Sequence, residues 1–211
     1  VGFFFPYIGL HYHNLGLSGQ QIGMISAIGP LATALLAPMW GMVADLYNAH
    51  RLILRLTLAP VAIVVILLAQ ATSFATILPL IILHSIFLAP VMPFMDGYGV
   101  AVSERYKLSF GQMRFWGTVG FITCVFLIGQ WMGGQVTPFF LYAYAAGVFI
   151  ACLVTFGLPP LDINTSRPDW GDALGLLRQR PMLILIATSW LVSIGFSSFN
   201  TFFSIYLAEM N

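Results

Sequence analysis

Asp96 is the one acidic residue set well inside an apolar run of this chain. An ionised carboxylate at mid-bilayer depth costs at least about 2.5 kcal/mol unless it is paired or protonated. Arg114 is the natural partner. It lies as far beyond the chain reversal near Arg105 as Asp96 lies before it, so an antiparallel pair of helices brings the two to similar depth. A carboxylate and a guanidinium facing each other can anchor a polar solute, or can serve only to pin two helices together. Ionisable groups inside membranes are usually functional, which favours the solute. Phe94, Tyr98, Trp116 and Tyr7 bring rings to the same region. Such rings hold a sugar, a base or an aryl group beside polar anchors, and plain core packing is their alternative role.

The remaining polar groups are fewer. His84 stands twelve residues before Asp96, about 18 Å along a helix, so the two cannot share one proton directly. As an intramembrane imidazole it suits proton transfer, or a neutral bond to a neighbouring helix. His11 and His13, at the outer end of the first apolar segment, read as wet interfacial residues. Ser189, Ser193, Ser197, Asn200, Thr201 and Ser204 share one helical face. That stripe lines a cavity or bonds a neighbouring helix, and Asn200 is the better ligand contact because its amide both donates and accepts. Gly117, Gly120 and Gly129 are expected to mark close helix packing. Cys124 and Cys152 lie in apolar segments at different depths, so neither a disulfide nor a metal site is expected. An enzyme acting on lipid with His84 or Asp96 as base would need a nucleophile, a metal cluster or an interfacial catalytic loop, and the sequence shows none. No catalytic residue and no cofactor is therefore expected.

These side chains must be positioned by membrane helices. The chain is 59% hydrophobic and only 7% charged, where a soluble domain carries about a quarter charged residues. Seven apolar segments are expected, over residues 1–13, 20–47 with Ser18 as N-cap, 52–71, 74–102, 112–132, 138–157 and 181–209. Their lengths suit helices and exclude barrel strands. All eight Lys and Arg residues fall at alternate breaks: Arg51 and Arg55; then Arg105, Lys107 and Arg114; then Arg167, Arg178 and Arg180. By the positive-inside rule those breaks face the cytoplasm and the first segment runs outward. Basic residues spread over three loops make no patch for nucleic acid.

Prolines interrupt the runs at Pro30, Pro38, Pro60, Pro79, Pro90 and Pro93. Bundles tolerate such kinks where neighbours satisfy the freed carbonyls. Residues 158–180 are the one long polar stretch and read as a cytoplasmic linker. The expected organisation is a six-helix bundle over 1–157, the linker, and over 181–211 a seventh helix opening a second bundle. The chain opens at Val1 inside an apolar run too short to span, without a starting Met or basic n-region, and closes just after the seventh segment. It reads as a fragment truncated at both ends, whose remaining C-terminal helices are a partner of those present.

Two stretches resemble a known family. Gly41-Met42-Val43-Ala44-Asp45, followed by Asn48, His50 and Arg51, resembles the loop between the second and third helices of the major facilitator superfamily. Leu46 replaces that loop's usual basic residue, and Asn48 its glycine. Asp45 sits at a helix C-terminus, where the dipole disfavours it, so it should seek a basic partner or another helix N-terminus. Pro93-Phe94-Met95-Asp96 with the run from Phe110 to Gly120 is similar to the branch holding the phenylpropionate and lactose permeases and the nucleoside proton symporters. The resemblance implies an all-α six-plus-six transporter of a bacterial inner membrane that works by alternating access. It implies that Arg114 grips a small organic solute (sugar, nucleoside or aromatic acid) and that Asp96 orients it. Gly41, Asp45 and Arg51 would govern the conformational change, and protons, by way of Asp96 or His84, would be the coupling ion. A proton-independent facilitator, a drug exporter and a non-transporting sensor descended from a carrier are the alternatives. The charge pattern makes a direct prediction: a membrane-impermeant maleimide labels Thr72→Cys in intact cells, but labels Lys107→Cys only after the membrane is opened.

Overall fold

The computed structural model describes residues 4–47, 49–132, 137–158, 179–184, 187, 188, 191, 192, 195 and 206. The chain divides into two units, Val1–Ile163 and Asn164–Asn211. In the first, the helices are α1 (Phe5–Asn14), α2 (Gly19–Tyr47), α3 (His50–Leu68), α4 (Phe74–Leu88), α5 (Val91–Tyr106), α6 (Phe110–Met132) and α7 (Phe139–Val154), with a 3-10 turn at Thr155–Gly157. In the second, the described residues from Arg180 onward are helical. Asn200, the other polar residues of its stripe and most of the expected linker lie outside the described residues. Among the described residues, five stretches are long and apolar enough to cross a bilayer: Gly19–Tyr47, His50–Leu68, Phe74–Tyr106, Phe110–Trp131 and Phe139–Gly157.

Local sequence fixes the helix ends. α1 stops where Gly16 takes a φ of 82°, with Gly16 N–H donating to the His13 carbonyl and Leu17 N–H to that of Tyr12, the two bonds of a Schellman end. Ser18 caps α2 as expected, and Gln21 completes the cap. Ser18 N–H donates to Gln21 Oε1 at 2.9 Å, and Gln21 N–H donates to Ser18 Oγ at 3.3 Å, a reciprocal capping box.

α3 is the centre of the bundle. Ile53, Leu54, Leu58, Val61, Val65 and Leu68 are buried along it, and it packs chiefly on α7 and α4 while α2 packs on α4. At one end, Ala44, Ile53, Leu54, Phe94 and Tyr98 form a buried cluster with Trp40, Ala49 and Leu158 against it. Arg55 ties the same end together: Nη2 donates to the Thr155 carbonyl at 3.2 Å, and the guanidinium lies 4.3 Å over the Phe156 ring. The α2–α3 turn and the end of α7 therefore meet.

Three expectations need adjustment. The stretch 74–102, read as one helix, is interrupted at Ala89–Pro90 between α4 and α5. Pro90 has no N–H for the carbonyl of Ile86, four residues back, and the indole Nε1–H of Trp40 on α2 donates to that same oxygen at 3.2 Å. His11, expected to be wet, is 5% exposed, because the outer end of α1 lies on α7 and the Phe140 ring meets the imidazole edge-on at 5.5 Å; His13 is exposed as expected. Gly117 and Gly120 face open space, since α6 turns that side away from its neighbours, whereas a Cβ at Gly129 would meet Tyr7 Oη at 2.9 Å.

The Trp40 bond yields a prediction. Trp40→Phe leaves a partly buried carbonyl without its donor and lowers stability by about 1 kcal/mol. In Pro90→Ala the restored N–H reclaims Ile86, so the same Trp40 change costs less. Unfolding of the four purified variants in detergent measures the coupling.

Candidate functional site

The site begins with a three-residue turn. α5 ends in a left-handed Lys107, φ 53°, with Lys107 N–H on the Glu104 carbonyl and Leu108 N–H on that of Ser103. This is a second Schellman end, here without glycine. α6 starts at once, Met113 N–H donating to the Ser109 carbonyl. The reversal lays α6 back along α5 and brings Arg114 opposite Asp96. Arg114 Nη1 lies 4.0 Å from Asp96 Oδ1, with the side chains 65% and 50% exposed. A charge-assisted hydrogen bond is closer, about 2.7–2.9 Å. The pair is thus in Coulombic contact, yet both groups keep hydrogen-bonding capacity for a third. Hydrocarbon would penalise two such charges by about 2.5–3.5 kcal/mol each, so a face carrying them belongs against water or protein.

The aromatic residues do not gather around the pair. Phe94, two residues before Asp96 and so about 200° around α5, is 7% exposed and packs in the cluster beneath the α2–α3 turn. Tyr98, one turn further, joins it there at 3% exposure. Trp116 is 71% exposed, but it stands two residues past Arg114 and so projects about 200° away on α6; its ring meets Phe115 at 5.9 Å. Tyr7 donates its hydroxyl to the Val125 carbonyl at 3.1 Å, eleven residues or about 16 Å along α6 from Arg114. Its contact ties α1 to α6 away from the pair.

His84 sits among aromatic rings. It is 3% exposed, with Nε2 3.4 Å from Tyr144 Oη on α7 and its ring stacked on Phe4 at 5.1 Å. The geometry is that of an interhelical bond between α4 and α7. Among the described residues no group of three His, Cys, Asp or Glu side chains is placed to hold a metal ion.

At the α2–α3 turn Asp45 meets the kind of partner expected of it, a basic side chain at the start of the next helix. Asp45 Oδ1 lies 3.0 Å from Nε2 of His50, the first residue of α3, and Ala49 N–H donates to the Ala44 carbonyl at 2.9 Å. The His50 ring rests 5.4 Å from that of Phe94, so the turn is seated on the buried cluster. Gly41 faces open space, and Arg51 is half-buried. Asn48 lies outside the described residues.

A bundle whose long helices are apolar enough to cross a bilayer defines a membrane protein of the helical class. The family model described as MFS_1 like matches residues 1–211, and the chain belongs to that family of major facilitator transporters, which are not enzymes. It is 24% identical over 99% of its length to the maltose permease of Geobacillus stearothermophilus, covering 54% of that protein. It is 25% identical over 84% of its length to the probable 3-phenylpropionic acid transporter of Escherichia coli (strain K12), covering 48%. It is 22% identical over 99% of its length to the quinolone resistance protein NorA of Staphylococcus aureus (strain MSSA476), covering 55%. The fold is similar to that of the solved nucleoside transporter NupG, with a TM-score of 0.81 and 22% identity over 98% of this chain and 54% of that one. The chain spans about half the length of the curated relatives it matches.

The division of the aromatic residues between core and surface is measurable. Phe94→Ala empties a buried site and lowers stability by about 3–5 kcal/mol, whereas Trp116→Ala changes it by no more than about 0.5 kcal/mol. Thermal unfolding of both purified variants separates the two roles.

Proposed function

We propose that this chain carries the solute-gripping hairpin of a secondary active transporter in the bacterial inner membrane. The observation that carries the reading is the charge pair: Asp96 and Arg114 face each other at 4.0 Å from adjacent spans, with half or more of each side chain exposed. In this reading Arg114 takes an acceptor group of a small organic solute and Asp96 takes a donor. Rocking of one bundle against another then moves the site from one side of the membrane to the other. Proton symport fits the same site, because a carboxylate that alternates between a guanidinium and a proton couples charge to cargo. The names of two relatives, a maltose permease and a probable 3-phenylpropionic acid transporter, support a sugar or an aromatic acid as candidates, beside the nucleoside of the sequence resemblance. Likeness to the quinolone resistance protein supports a second reading, export by the same fold.

The test uses the complete gene product in cells, supplied separately with labelled maltose, 3-phenylpropionate and uridine. One of these accumulates, a protonophore collapses the gradient, and Arg114→Ala reduces initial uptake by about 100-fold or more at unchanged expression, the scale of a lost positioning contact. Uptake indifferent to the protonophore indicates a facilitator, and reduced accumulation in expressing cells indicates an exporter. Normal transport by Arg114→Ala removes the proposed anchor.

A further inference from the structure

One contact on the α5–α6 seam has a geometry that neither packing statistics nor charge pairing requires. A Cβ built on Gly99 would stand 2.8 Å from Cε2 and 3.3 Å from Cδ2 of Phe110, so the phenyl ring occupies the space that any other residue at 99 would fill. Gly99 is three residues beyond Asp96 on α5, and Phe110 is four residues before Arg114 on α6. Residues three or four apart lie above one another on a helix face. The ring-on-glycine contact and the charge pair are therefore successive rungs of one seam, the first next to the turn and the second one turn deeper.

α6 is held sparsely elsewhere. Most of its side chains are exposed, and at its far end Tyr7 supplies another close approach, with Oη bonded to the Val125 carbonyl and 2.9 Å from where a Cβ of Gly129 would be. With so few contacts to average over, the spacing of α6 from α5 near Arg114 is set by the nearest one. Pressing a methyl group into a filled contact displaces either the ring or the helix, and a displaced helix carries Arg114 with it.

We propose that Gly99 and Phe110 are positioning residues: the ring seated on the glycine is a spacer that fixes the Asp96–Arg114 separation at a distance open to a bridging solute. The solute part rests on the transport reading above, whereas the spacer itself does not.

The test reads the separation directly. In the complete gene product, with Cys124→Ser and Cys152→Ala, Asp96→Cys and Arg114→Cys are combined, and disulfide formation under copper-phenanthroline is timed in membranes. Gly99→Ala slows cross-linking by about tenfold or more, and adding Phe110→Ala restores it, because the methyl then has room. Equal rates in all three backgrounds overturn the spacer. So does a rate that stays slow in the double variant while its elution as a folded monomer is unchanged, since the ring was then not the obstacle. A parallel uptake series with maltose, 3-phenylpropionate and uridine on the unsubstituted pair separates the two readings. A KM raised about tenfold by Gly99→Ala at constant maximal rate, and reversed by Phe110→Ala, supports both. Altered cross-linking with unaltered KM upholds the spacer and overturns the solute site.

Discussion

An apolar solvent leaves a charge few places to go, and that constraint orders this structure. Asp96 and Arg114 stand on neighbouring spans, each partly exposed and each within Coulombic reach of the other. Neither group is tolerable against lipid alone, and together they are too far apart to satisfy each other fully. The hairpin that carries them is therefore specialised around their separation. A left-handed Lys107 makes the turn tight, and Gly99 lets α6 come close. Deeper along α6, Tyr7 bonds the Val125 carbonyl and the Trp131 ring meets that of Phe139 at 4.0 Å.

The same accounting governs the backbone. Pro90 breaks the ladder just before the turn of helix that presents Asp96, and the freed Ile86 carbonyl is taken by Trp40 from α2. Thr33, Thr118 and Thr123 return their hydroxyls to carbonyls of their own helices, so polar side chains are satisfied without a neighbour. The Asp45–His50 contact closes the α2–α3 turn with an acid and an imidazole 3.0 Å apart. The turn is anchored from below by Phe94, so the core beneath it and the hairpin bearing Asp96 are built from opposite faces of α5.

Much of this was legible in the residues alone. Apolar run lengths marked the long helices between 19 and 157; Ser18 gave a helix start; the symmetric placement of Asp96 and Arg114 about a reversal gave a facing pair. Depth along a span follows from counting, but the direction in which a helix turns its faces does not. Phe94 and Trp116 were grouped with the pair by proximity in sequence, although two residues of helix carry each to another side. His11 was read by its distance from the chain reversal, while its burial depends on where α7 lies. Trp40 escaped notice because it serves a carbonyl on another helix, a relation that no periodicity within one helix encodes.

The central claim is that the charge pair faces an aqueous, solute-filled space. Reactivity of Asp96→Cys in the complete gene product toward a small water-soluble methanethiosulfonate tests it most directly, because such reagents modify thiols in water and not in hydrocarbon. The account predicts labelling that slows when the transported solute is added. A cysteine at 96 that stays unlabelled, or labels at a rate indifferent to that solute, contradicts it.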